Sequence, residues 1–119
     1  MRKTVLIVDD EEMILQMSGT VLQGVGYRVW TAASGPEAVS LFTAKKDEIA
    51  IVLLDMMMPG MDGMQTIERI LEIDPRAKII ACSGLLTAQR ENEATARGAT
   101  AFLPKPYSDE QLLQAITGV

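Results

Sequence analysis

Ile49-Ala50-Ile51-Val52-Leu53-Leu54 is followed at once by Asp55. Six apolar residues with no polar alternation read as a strand covered on both faces, because a strand with one wet face alternates. Its sheet therefore needs helices on both sides, and the flanking sequence supplies them. Upstream, Thr4–Val8 is a compact β-branched run. Met13, Ile14, Met17 and Val21 recur at helical spacing until Gly24 and Gly26 end the helix. Arg28–Ala32 reads as a second strand. Ser34-Gly35-Pro36-Glu37 combines a capping box with an early proline, ahead of Ala38, Val39, Leu41 and Phe42 on one face. Downstream, Asp62 can cap a helix carrying Met64, Ile67, Ile70 and Leu71, which Asp74-Pro75 stops. Lys78–Cys82 is a fourth strand. Ala88–Arg97 is a helix whose apolar residues are all alanines, closed by Gly98, and Ala101–Leu103 is a short fifth strand. Ser108 and Gln111 form another capping box, with Leu112, Leu113 and Ile116 facing inward from the last helix.

Five βα units in succession give an α/β fold with a parallel sheet and helices on both faces. Right-handed crossovers leave few topologies, and a doubly wound five-stranded sheet in the order 2-1-3-4-5 is expected. There is no internal repeat, linker or low-complexity tract, so residues 1–119 are expected to form one domain.

Composition removes several function classes. Apolar residues make up 48% and charged residues 23% of 119, which is globular rather than disordered. Sixteen acids against 11 bases give a net charge of −5, which argues against direct nucleic-acid binding. No histidine is present, which excludes His-based catalysis and His metal sites. The single Cys82 lies in an apolar run and fits a reducing compartment. The short apolar stretch after Arg2-Lys3 ends in Asp9-Asp10-Glu11-Glu12, unlike a secretory signal, and no run has the length of a membrane span. A cytoplasmic protein without membrane insertion is expected.

Ligands of an open parallel sheet bind at the carboxyl ends of its strands, near the point where strand order reverses. The first strand ends in Asp9-Asp10, the third in Asp55, the fourth in Ser83 and the fifth in Pro104-Lys105-Pro106. Singly, each has an ordinary explanation, such as a helix-dipole acid, a turn cap or a solvated lysine. Helix capping and solvation do not place three carboxylates, a hydroxyl and an ammonium at one sheet edge. Three ionised carboxylates in a partly dry cleft require a cation, and hard oxygen ligands without His or Cys point to Mg²⁺. Lys105 adds a point charge suited to phosphoryl oxygens. Phosphoryl transfer asks mainly for positioning and charge neutralisation, and a carboxylate can be its nucleophile.

Val8-Asp9-Asp10-Glu11, Leu54-Asp55-Met56-Met57-Met58-Pro59-Gly60-Met61-Asp62-Gly63, Cys82-Ser83-Gly84 and Phe102-Leu103-Pro104-Lys105-Pro106 together resemble the receiver domains of bacterial response regulators and hybrid sensor kinases, over essentially the whole chain and in order. The resemblance implies a flavodoxin-like three-layer sandwich. It implies that Asp55 accepts a phosphoryl group from a histidine kinase or histidine phosphotransfer domain. Asp10 would bind Mg²⁺ directly, Asp9 through a water, and the Met57 carbonyl would complete the protein ligands. Ser83 and Lys105 would hold the phosphoryl group. Phe102 would be the switch aromatic, without the hydroxyl that many relatives carry there, and the switched surface would comprise the fourth helix, fifth strand and fifth helix. The protein would accept a phosphoryl group by self-catalysis rather than turn over as an enzyme. A phosphorylation-dependent homodimer is compatible with the resemblance. The Gly98–Tyr107 segment leans toward the C-terminal receivers of hybrid kinases.

Three other readings are weighed. A haloacid-dehalogenase-class phosphatase needs Asp-x-Asp-x-Thr after the first strand, where this chain has Asp9-Asp10-Glu11-Glu12. A flavodoxin-like cofactor binder needs a Ser/Thr/Gly-rich phosphate loop there, and four acids would repel phosphate. A degenerate receiver serving only as a docking module would not need all five site residues. Three more expectations follow: a cis Lys105–Pro106 bond, high mobility from Leu85 to Gly98, and slow phosphate loss because apolar Met57 and Leu85 border the path of attacking water.

Overall fold

The computed structural model describes residues 3–58, 60, 63–84 and 88–119, with the backbone alone for Ala88 and Arg90. Strands β1 (Thr4–Val8), β2 (Arg28–Ala32), β3 (Ile49–Asp55), β4 (Lys78–Ser83) and β5 (Ala101–Pro104) pair in parallel in the order β2-β1-β3-β4-β5. The expected doubly wound topology is thus observed. The helices are α1 (Glu12–Gly24), α2 (Gly35–Lys45), α3 (Gly63–Ile73), α4 (Ala88–Ala96) and α5 (Asp109–Thr117).

Two-residue periodicity divides the interior into two cores. Leu6 and Val8 of β1, Val52 and Leu54 of β3, and Ile79 and Ala81 of β4 join Phe42 of α2, Ile67 and Ile70 of α3, and Ala94 of α4. The alternate residues Val5, Ile7, Ile51, Leu53, Ile80 and Cys82 meet Leu15 and Leu22 of α1 and Leu112 and Ile116 of α5. An unbroken apolar run is the sequence form of this two-sided burial. Strand order reverses between β1 and β3, where β1 is followed by Asp9 and β3 ends in Asp55.

The helical stripe read from the sequence of α1 is buried only in part, with Ile14 half-buried and Val21 packed against the core. Leu15, Ser18, Gly19 and Leu22 face the sheet, whereas Met13 and Met17 are 70% and 57% exposed. Both sets satisfy helical spacing. Ser18 and Gly19 take the inner face over β2, where a Cβ at Gly19 would make ordinary contact with Val29 Cγ1 at 3.7 Å. The Ser34 box is also modified. Its hydroxyl accepts from the Glu37 N–H at 3.2 Å, but the Glu37 carboxylate accepts from Ala33 rather than Ser34. The Ser108–Gln111 box forms in full. The Asp62 cap lies outside the described residues, as do Pro59, Met61 and Leu85–Thr87.

Candidate functional site

At the β1 end, the Asp9 N–H donates to the Ala32 carbonyl at 3.1 Å, continuing the ladder past the strand. That bond fixes the turn in which Asp9 is buried and Asp10 exposed. Asp9 Oδ1 accepts from the Glu11 N–H at 2.9 Å, leaving Oδ2 toward the cleft. The N-cap position of α1 is Glu11, with no side-chain cap, so neither Asp9 nor Asp10 serves as the capping residue.

Asp55 ends the central strand opposite Cys82 of β4. The following Met56 N–H donates to the Cys82 carbonyl at 2.8 Å. Asp55 Oδ1 accepts from the Met57 N–H at 3.0 Å, an Asx-type bond that aims the side chain back over its own turn. Among the described residues, one oxygen each from Asp9, Asp10 and Asp55 lies within 4.8 Å of the others.

Lys105 enters from β5. Its N–H donates to the Ser83 carbonyl at 3.0 Å, and the Lys105–Pro106 peptide is cis, as expected. The ammonium donates to Asp9 Oδ2 at 2.7 Å and lies 3.4 Å from Asp55 Oδ2 and 3.8 Å from Glu11 Oε1. Ser83 is buried at the end of β4, and Phe102 of β5 is half-buried against the α2–α4 side of the sheet. The Met57 side chain is 45% exposed at the mouth of the cleft.

Burial pushes the Asp55 carboxyl above the usual aspartate range. The Met57 N–H opposes this, the Asp9 charge adds to it, and Lys105 offsets part of it. Burial alone would lower Lys105, but its hydrogen bond to Asp9 and the Asp55 charge hold it above an ordinary lysine. Burial pushes the Cys82 thiol up, so it stays protonated beneath the site. The arrangement is an anion cluster with one built-in cation. Its hard oxygen donors fit a divalent ion of the Mg²⁺ type.

A cleft of about 670 Å³ opens above this cluster, lined by Asp55, Met57, Lys105, Tyr107 and the Met17 side of α1. The sequence profile of the response regulator receiver domain matches residues 5–117. The chain belongs to that family. The receiver is 38% identical to the chemotaxis protein CheY of Thermotoga maritima, covering 100% of this chain and 98% of that one. It is 30% identical to sporulation initiation phosphotransferase F of Bacillus subtilis, over 98% and 92% of the two chains. A CheY of Borrelia burgdorferi, solved as a complex of CheX, CheY, BeF₃ and Mg²⁺, superposes with a TM-score of 0.94 at 33% identity, covering 98% of this chain and 87% of that one. Receiver domains of this type are phosphoacceptors in two-component signalling, are generally non-catalytic, and typically use Mg²⁺.

The structure brings together Asp9, Asp10, Asp55 and Lys105, and places Ser83 and Met57 beside them. Sequence reasoning gave no role to Glu11, Gly63 or Tyr107. Glu11 stands within ion-pair range of Lys105. A Cβ on Gly63 would lie 2.6 Å from Met56 Cα, so the glycine lets α3 close against the residue after Asp55. Glu11 and Gly63 lie within the quoted motifs and Tyr107 directly follows one, which was the available signal.

Proposed function

We propose that residues 1–119 form one receiver domain that takes a phosphoryl group onto Asp55 from a histidine kinase or phosphotransfer partner. The observation that carries this reading is the Asp55 carboxylate, buried at the reversal point, bonded to the Met57 N–H through one oxygen and facing Lys105 with the other. A buried carboxylate without its backbone donor and cation would protonate and lose nucleophilicity; here both are supplied. Asp9, Asp10, Asp55 and the Met57 carbonyl would hold Mg²⁺, which when bound neutralises charge that develops on the transferring group. Asp55 attacks the donor phosphorus, the bond from phosphorus to the donor nitrogen breaks, and an aspartyl-phosphate forms. Lys105 and Ser83 orient the phosphoryl oxygens, by charge and by a hydroxyl donor respectively.

Phosphorylation then biases the surface of α4, β5 and α5, with Phe102 following Ser83. The setting is cytoplasmic; among the described residues no helix is long and apolar enough to cross a membrane. The relatives make kinase-linked partners the natural donors. Incubation with acetyl phosphate and Mg²⁺ should add one phosphoryl mass, and Asp55→Ala should abolish it. Labelling of that variant at the parental rate would overturn the assignment, and a parent that takes up no label would favour a domain that docks without phosphorylation.

A further inference from the structure

The Ser18 hydroxyl and the Tyr107 hydroxyl lie 2.7 Å apart, joining α1 to the loop between β5 and α5. Ser18 is 4% exposed on the inner face of the helix, and Tyr107 is half-buried. The bond spans 89 residues of sequence, so neither hydroxyl meets the other through local geometry. Both line the cleft beside Met17 and Leu112, and two hydroxyls there would be replaced by hydrocarbon at little loss if packing alone were at stake. Their position relative to Lys105 gives them a second consequence.

Lys105 is anchored on its N-terminal side by its own N–H on the Ser83 carbonyl. On its C-terminal side Pro106 has no N–H to offer. The Ser18–Tyr107 bond is the next polar anchor along the chain, two residues beyond Lys105. A lysine side chain has four rotatable bonds and many rotamers, so its head is placed accurately only when both backbone flanks are fixed. The ammonium has three carboxylates within 4.0 Å and contacts them unequally, with Asp9 nearest.

We infer that Ser18 and Tyr107 are positioning residues, whose hydroxyl pair fixes the Lys105 ammonium where it meets the phosphoryl group. The inference rests on the phosphoacceptor reading for its consequence, whereas the Ser18–Tyr107 bond itself does not. Without the pair, Lys105 spends less time between Asp9 and Asp55. Phosphoryl binding weakens, while the three acids keep their oxygens and lose a competing cation. Affinity for a phosphoryl mimic therefore falls while affinity for Mg²⁺ holds or rises, which general destabilisation would not produce.

The test compares the parent with Ser18→Ala, Tyr107→Phe and the double variant by calorimetry. Mg²⁺ is titrated alone, then beryllofluoride at saturating Mg²⁺. Each single variant is expected to weaken beryllofluoride binding about five-fold, as loss of one part-buried hydrogen bond implies. The double variant should be no weaker than either single, and Mg²⁺ should bind as tightly as in the parent or more so. Unchanged beryllofluoride affinity, additive losses, or a parallel fall in Mg²⁺ affinity would each overturn the inference. A second arm uses urea unfolding in EDTA. The effect of Lys105→Met on the unfolding constant should be about five-fold smaller in the Tyr107→Phe background than in the parent. Additive effects there overturn the positioning claim whatever the ligands do. A parent that binds no beryllofluoride, with that coupling intact, counts against the phosphoacceptor reading and leaves the positioning upheld.

Discussion

The Lys105 ammonium is 2.7 Å from Asp9 Oδ2 and 3.4 Å from Asp55 Oδ2, so the cation leans toward the acid that is not the proposed acceptor. It serves as counterion to the buried cluster. Lys105→Met is therefore expected to destabilise the metal-free fold by about 3 kcal/mol, the usual effect of removing one partner from a buried ion pair. Saturating Mg²⁺ should recover much of that loss. Urea melts with EDTA and with Mg²⁺ check both parts.

Asp55 gives a prediction of the opposite sign. Its carboxyl is raised in the folded state, first by burial and further by the Asp9 charge. A carboxyl that holds its proton more tightly when folded makes stability fall as pH rises from the ordinary aspartate range through the folded value. Above that window the opposition is complete. Asp55→Asn removes it, so the variant should melt a few degrees higher than the parent at pH 7 in EDTA. The gap should close as pH falls toward 4. Equal melting of the two proteins at pH 7 would contradict this account of the site.

Gly63→Ala tests the close approach of α3 to Met56. The added methyl meets the Met56 backbone at 2.6 Å, and backbone cannot swing away as a side-chain tip can. A loss of about 2 kcal/mol is expected from overpacking. Because Met56 follows Asp55, the rate of labelling by acetyl phosphate should fall as well, measured well below the melting midpoint.

Phosphate loss should be slow. Met57 stands half-exposed at the mouth of the cleft and has no group that could orient a water. Leu85, the other apolar residue expected beside that path, lies outside the described residues. The double variant Met57→Asn, Leu85→Glu should lose phosphate about ten-fold faster than the parent, corresponding to roughly 1.4 kcal/mol of barrier. Decay no faster in the variant would defeat the shielding argument.

Helix α4 should open more readily than α1. Among its described side chains only Ala94 is buried, whereas α1 buries Leu15 and Leu22. Its C-terminal end is joined to α3 by the Arg97–Glu68 ion pair, between two exposed side chains that hold weakly in water. Amide exchange in α4 should exceed that in α1 and slow when beryllofluoride and Mg²⁺ are added. Equal protection, unmoved by the ligand, would remove α4 from the switch.

The topology was legible because every strand and helix had its own punctuation: the unbroken run of Ile49–Leu54, the Gly24 and Gly98 stops, and the Ser108 box. The acids and Lys105 were legible for a related reason, since strand ends are where a parallel sheet exposes ligands. What could not be read was decided by tertiary packing. The buried stripe of α1 includes Ser18 and Gly19, which carry no hydrophobic signal, and helical spacing alone fits two stripes. The Ser18–Tyr107 pair joins residues with no local relation. Gly63 looks like a helix start until Met56 is seen beneath it.

Lys105 follows β5, an edge strand paired with β4 alone. Synthesis from the N-terminus therefore delivers Asp9, Asp10 and Asp55 well before the residue that balances them. A nascent chain that has already paired β1 with β3 holds a cluster of like charges with no internal cation, and closing the rim falls to the last strand to dock. Chains stopped before β5 should need divalent ion to keep the first three strands together, while completed chains should not.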